Sequence, residues 1–129
     1  MRQSELVALL PRDKRDTDSA ELLIALGFPA VEPILPELVE WMQDINWPVA
    51  QRLQPFLVGI GVPLLDQVRH VLGTDDDIWK LWVLDGVVSP SPELQAALRP
   101  ELERIADRPT PGEREHEVDA CAREMLAGR

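Results

Sequence analysis

The sequence predicts an all-α domain, built as a right-handed stack of about three antiparallel helix pairs and closed by a C-terminal capping helix. Two tetrads, D-I-N-W at 44–47 and D-D-I-W at 76–79, each precede an apolar stretch, and their tryptophans lie 32 positions apart. Glycine–proline corners at 27–29 and 61–63 recur after 34 positions. Periods of about 20–50 residues are typical of stacked repeats. Apolar residues recur three or four apart and tyrosine is absent, so no segment favours a strand.

Capping signals place the N-terminal helices. A short helix over 6–10 is expected to end at Pro11. A second helix is expected to begin near Asp18, because Asp18 and Glu21 have the spacing of an aspartate form of the capping box. Gly27 should end this helix, since glycine readily adopts the left-handed conformation that follows a helix.

Proline positions govern the next pair of helices. The segment 29–42 is apolar at helical spacing, and its helix either starts at Pro36 or is kinked there. Both readings are open because proline suits the first turn of a helix and disrupts its interior. Asp44 or Asn46 is expected to cap the following helix over 47–60.

The third helix pair follows a helix that is predicted over 64–72. The hydroxyl and carboxylates at 74–77 suit a helix N-terminus, where they satisfy free N–H groups. The segment 78–88 is apolar nearly all round, which is typical of a helix covered on most sides. Its partner over 92–107 should be interrupted at Pro100.

A capping helix is predicted at the C-terminus. Thr110 should cap it, with Pro111 in the first position and Glu113 completing a capping box. The segment 113–117 and Arg123 are expected to face solvent, as the polar end of a short stack requires. The apolar face consists of Val118, Cys121, Ala122 and Met125.

The charge balance bears on the choice of partner. The 129 residues include 23 acids and 13 lysines or arginines, for a net charge of -10. An acidic surface repels phosphate backbones, so we expect no nucleic acid partner. A basic partner fits this charge, although solubility alone explains it equally well.

The sequence favours a cytoplasmic protein. Cys121 is the single cysteine, so an intrachain disulfide is impossible. The apolar run before Pro11 is too short for a signal peptide core or a membrane span, and we expect no membrane association.

Two segments carry a family resemblance. N-W-P-V-A at 46–50 and D-D-I-W-K-L-W at 76–82 resemble an uncharacterised bacterial family of short HEAT-like helical-repeat domains, over roughly residues 9–90. The resemblance implies a HEAT/armadillo-like α-α superhelix and supplies no activity.

Catalytic and metal-binding patterns are absent from the sequence. There is no phosphate-binding glycine loop, no nucleophile elbow and no cysteine–histidine signature. His70 and His116 lie 46 positions apart without a second ligand at metal spacing. The acidic triplet at 75–77 is explained by helix capping. We therefore expect no catalytic residue, no metal and no cofactor.

The tryptophan motifs supply the candidate site. Tryptophans at helix starts usually pack between stacked units, and this is the simpler interpretation. The alternative is a contact surface for a protein or peptide, which would make the chain a non-catalytic binding or adaptor module. A second possibility is a small-molecule binder or enzyme that uses a Trp/Asp-lined cleft between repeats. The candidate contact residues are Asp44, Asn46, Trp47, Asp76, Trp79, Lys80 and Trp82.

Overall fold

The computed structural model describes residues 1–128, and all of the regular structure in that range is helical. Its α-helices are α1 (Gln3–Val7), α2 (Thr17–Leu26), α3 (Leu35–Glu40), α4 (Pro48–Ile60), α5 (Leu65–Leu72), α6 (Asp77–Val83), α7 (Pro92–Ala97), α8 (Arg99–Asp107), α9 (Pro111–Glu115) and α10 (Val118–Leu126). Short 3-10 turns occupy Glu32–Ile34, Trp41–Gln43 and Val62–Leu64, and a π-helical turn, Leu84–Val88, extends α6. The all-α prediction is confirmed for these residues.

The helices enclose one continuous apolar core. Helix α4 packs between α2 and the π-helical turn, α3 packs on α5, and α8 packs on α10. Helix α6 packs against the Trp41–Gln43 turn. Leu23, Leu53 and Leu84 are among the fully buried core residues of these elements. No helix in the described chain combines the length and apolarity that crossing a membrane requires.

The N-terminus of α2 is capped by a different residue from the one predicted. Asp16 accepts hydrogen bonds from the Ser19 backbone N–H at 3.3 Å and from the Ser19 hydroxyl at 2.7 Å. The Arg12 backbone N–H also donates to Asp16, at 3.0 Å. The hydrogen bonds from Arg12 and Ser19 lower the pKa of Asp16 to about 2. Asp18 and Glu21 were therefore the wrong capping pair, because Asp16 reaches the free N–H groups first.

A glycine with positive φ lies at both predicted corners. Gly27 has φ 75° and Gly61 has φ 70°, in the region where a side chain is disfavoured. Their N–H groups donate to Leu23 O at 3.1 Å and to Leu57 O at 3.2 Å, which ends α2 and α4. The Phe28–Pro29 peptide bond is cis. A 3-10 turn follows Gly61 directly, whereas a non-helical turn separates Gly27 from the next 3-10 turn.

The turn before α4 is held by Asp44 without a side-chain cap. Asp44 Oδ1 accepts the Asn46 backbone N–H at 2.9 Å, and Asp44 O accepts the Trp47 N–H at 3.1 Å. Trp47 occupies the N-cap position and Pro48 begins the helix. The prediction of a cap by Asp44 or Asn46 is wrong, because the Asp44 carboxylate is used within its own tight turn. Pro36 lies in the first turn of α3, which agrees with the predicted helix start at Pro36 and not with a kink inside the helix.

Two helices replace the single C-terminal helix of the prediction. Glu117 has φ 61°, and this left-handed residue separates α9 from α10. The predicted capping box is present: Glu113 N–H donates to Thr110 Oγ1 at 3.1 Å, and Thr110 N–H donates to Glu113 Oε1 at 2.9 Å. Glu113, however, is 0% exposed, so placing it on the solvent face was wrong.

Candidate functional site

The first group of predicted site residues forms one surface turn. Asn46 is exposed, while Asp44 and Trp47 are half-buried. The Trp47 ring meets the Trp41 ring edge to face, with centroids 5.8 Å apart and planes at 78°. The turn therefore presents a polar tip beside a pair of partly covered indoles.

The second group divides between surface and interior. Asp76 is exposed and caps α6 by accepting the Trp79 backbone N–H at 3.0 Å. Trp79 is 8% exposed, and its indole Nε1–H donates to Val39 O at 3.1 Å. The His70 ring packs edge-on against it at 6.5 Å. Trp82 is half-buried. Trp79 thus has the packing role that the simpler interpretation predicts.

Lys80 lies in the protein interior. Its ammonium is 3.1 Å from Asp77 Oδ1 and donates to Glu113 Oε2 at 3.0 Å. Only 4% of the Lys80 side chain is exposed, and that of Glu113 is fully covered. Lys80, one of the candidate contact residues, is therefore paired inside the protein. Ile78, predicted to lie in a helix covered on most sides, is instead 49% exposed.

Glu113 is the centre of this buried charge cluster. Arg104 donates to both of its carboxylate oxygens, at 2.6 and 2.9 Å, and Lys80 and the Thr110 N–H add two further donors. Burial by itself would raise the pKa of Glu113, but the hydrogen bonds from Arg104, Thr110 and Lys80 lower it to about 2. The hydrogen bonds from Arg104 to Glu113, with the negative charge of Glu113, raise the pKa of Arg104. Through Glu113 the cluster joins α6, α8 and the start of α9, which suits a structural role.

An aromatic and acidic groove lies beside the 44–47 turn. Its volume is about 350 Å³, and Trp41 and Trp47 line it together with Glu37 and Glu40. Glu37 Oε1 is covered from solvent and has no hydrogen-bond donor within residues 1–128. The Glu40 side chain is exposed. Leu10, Pro11 and Gln43 complete the lining.

Six of the seven residues that line this groove were not predicted from the sequence, among them both glutamates and Trp41. Glu37, Glu40 and Trp41 are spaced at i, i+3 and i+4, which places them on one face of α3 and the turn after it. That spacing, which ends six residues before Trp47, was the available signal. Of the predicted residues, Trp47 alone lines the groove.

A second, larger groove is basic. It encloses about 450 Å³ and includes Arg69, Arg104 and Arg108. Arg69 is paired with Glu101 at 2.9 Å, and Arg104 with Glu113. Two of its three guanidinium groups are therefore already committed within the protein.

The family comparison covers both tryptophan motifs and the C-terminal helices. A family model described as Domain of unknown function (DUF5071) matches residues 9–126. The chain belongs to this family. A search of curated proteins finds no match. The matched span includes the groove and the Glu113 cluster, so it extends beyond the resemblance inferred over residues 9–90.

The single thiol is poorly suited to nucleophilic chemistry. Cys121 is half-buried, and burial, followed by the charges of Asp85 and Glu124, raises its pKa to about 11. A thiol with such a pKa is almost wholly protonated at neutral pH. Within the described part of the chain, no three histidine, cysteine or acidic side chains are grouped so that they could hold a metal ion.

Proposed function

We propose that this protein is a non-catalytic binding module that recognises a protein or peptide through the groove between Trp41 and Trp47. The observation that carries the proposal is the groove itself, in which two half-buried indoles stand beside two glutamates. Partly exposed tryptophans in a concave site are typical anchors of protein interfaces. The polar turn at Asp44 and Asn46 would form the adjacent rim.

The second tryptophan motif supports this surface from the interior. The Trp79 indole bonds to Val39 O, and Val39 belongs to α3, the helix that carries Glu37 and Glu40. Lys80 fixes α6 to α9 through Glu113. On this proposal, Trp79 and Lys80 position the groove, while the exposed Asp76 belongs to the rim of α6. Trp82 is half-buried and does not line the proposed groove.

The charge of the molecule favours a basic partner. The net charge of -10 attracts cationic groups and disfavours nucleic acid. Neither Glu37 nor Glu40 is neutralised by an ion pair within residues 1–128. We also propose a cytoplasmic location, because a single cysteine allows no intrachain disulfide.

We also infer that the helices form HEAT-like units in a right-handed stack of antiparallel pairs. Contacts between positions about one period apart support this architecture. Gln54 donates to Gly86 O at 3.2 Å across 32 positions, and Arg69 pairs with Glu101 across the same interval. Equivalent positions in neighbouring repeats are expected to touch in this way, because each repeat packs on the next.

The alternative of a small-molecule binder or enzyme has weaker support. It requires a cleft shared by Trp47 and Trp79, but the groove at Trp47 does not include Trp79. Trp79 lines a separate cavity of about 60 Å³ with Glu40 and His70. Ligand pockets are usually about 300–1,000 Å³, so that cavity is too small for most ligands.

A peptide selection would test the proposed function. Random dodecapeptides would be selected against the protein, and the affinities of synthetic copies measured by calorimetry. Reversing the charge at the groove with Glu40→Arg should weaken their binding at least about tenfold, because it places a cation beside the site. Glu32→Arg is the matched control, since Glu32 is an exposed acid outside the groove, and its binding should stay within about twofold.

Two results would overturn the proposal. One is the failure of any peptide or protein to bind in a way that depends on the groove. The other is a set of binders whose affinity is unchanged by both Glu40→Arg and Trp47→Leu. Circular dichroism of each variant would establish that it remains folded.

A further inference from the structure

Two unpaired glutamates give the groove a chemical preference. Glu37 and Glu40 both line it, and neither forms an ion pair within residues 1–128. Carboxylates of one sign in a concave site attract groups of the opposite charge. The groove therefore favours a hydrogen-bond donor that carries positive charge.

The two indoles favour a flat cation. Trp41 and Trp47 both line the groove, and each is half-buried, so part of each side chain stays accessible. A cation over an indole face is attracted by the negative charge of the π-system. A guanidinium can stack on such a face while its forked N–H groups bond to a carboxylate in the same plane. An ammonium is a compact point charge and cannot do both equally well.

We propose that this groove binds an arginine side chain of the partner, with the guanidinium stacked on Trp41 or Trp47 and bonded to Glu37. This inference rests on the proposed function and specifies the partner's anchoring residue. The protein's own nearby arginine does not fill the role: Arg12, next to Pro11 in the groove lining, pairs with Asp16 at 3.4 Å and is 87% exposed. The net charge of -10 further favours the approach of a cationic side chain.

Nuclear magnetic resonance of the tryptophan indoles would test the assignment. The ¹⁵N-labelled protein would be titrated with the peptide Ac-Gly-Gly-Arg-Gly-Gly-NH2 and with analogues that carry lysine or citrulline at the centre. The arginine peptide should shift the Trp41 and Trp47 indole N–H signals and leave Trp82 unchanged. Citrulline keeps the planar shape without the charge, so its peptide should bind at least about tenfold more weakly. The lysine peptide should fall between the two.

Variants separate the role of Glu37 from general electrostatics. Glu37→Gln keeps the shape of the side chain and should weaken arginine binding about tenfold, because the charged hydrogen bond is lost. Glu32→Gln removes the same charge outside the groove and should change the affinity by less than about twofold.

The outcomes distinguish this inference from the broader function. Equal binding of the arginine and citrulline peptides, or full arginine affinity in Glu37→Gln, would overturn the arginine assignment. If the selected dodecapeptides still lost affinity on Glu40→Arg, the protein would remain a peptide-binding module with another anchor. Absence of any groove-dependent binder would overturn both.

Discussion

Neutralising Glu113 should destabilise the protein strongly. The carboxylate accepts hydrogen bonds from Arg104, Lys80 and the Thr110 N–H, and it is 0% exposed. In Glu113→Gln, the amide nitrogen would face one of these cationic donors, and both cations would lose their shared counter-charge. Removing one partner of a buried ion pair typically costs about 3–5 kcal/mol. We expect about 3 kcal/mol, because Lys80 keeps Asp77 and the Arg104 side chain is 35% exposed.

The pKa of Glu113 gives a second estimate of this magnitude. A pKa of about 2 in the folded protein, against an ordinary 4.5, corresponds to about 3 kcal/mol of stabilisation. Since the folded pKa is the lower one, this contribution is complete above pH 4.5 and is lost as the pH falls towards 2. The stability difference between wild type and Glu113→Gln should therefore shrink over that same interval.

Urea unfolding followed by tryptophan fluorescence, at several pH values between 7 and 2, would measure both effects. Glu115→Gln is the control, because Glu115 is an exposed acid in the same helix, and we expect a change within about 0.5 kcal/mol. A loss below about 1 kcal/mol for Glu113→Gln at pH 7 would refute the reasoning. So would a difference that persists unchanged at pH 3.

Two further predictions concern close packing and thiol reactivity. A side chain at Gly112 would collide with the Asp77 carboxylate, which the buried Lys80 holds at 3.1 Å, so Gly112→Ala should cost about 1–3 kcal/mol in thermal unfolding. The added methyl group of Gly59→Ala would meet nothing within 4 Å, so this variant should gain about 0.5–1 kcal/mol of stability. A change of stability with the same sign in both variants would contradict the steric argument. Cys121 has a pKa of about 11 in the folded protein, against an ordinary 9.0. At pH 8, iodoacetamide should therefore alkylate the folded protein about a hundredfold more slowly than the urea-unfolded chain, because only the thiolate reacts. Equal alkylation rates would contradict this prediction.

The sequence predicted Trp47 as a residue of the candidate groove but did not predict Glu37 or Trp41. Trp47 was identified because its motif recurs at a fixed distance, which is visible in the chain itself. Glu37 and Trp41 lack such a repeat and become neighbours of Trp47 only where the chain turns between α3 and α4. Conversely, Trp79 and Lys80 share the repeating motif but are covered by other helices. The recurring motif therefore identifies corresponding positions in two repeats, but the side chains at these positions are not equally exposed.

By itself, the sequence determined the helical class of this protein and most of its helix ends, since helical periodicity, proline positions and capping groups act within a few neighbouring residues. The Thr110–Glu113 capping box and the left-handed glycines at 27 and 61 follow from such local chemistry. The tertiary structure alone decided that Glu113 is buried and that Lys80 and Arg104 neutralise it. Lys80 lies 33 positions and Arg104 lies 9 positions from Glu113, and only the packing of α6, α8 and α9 brings them within hydrogen-bond distance.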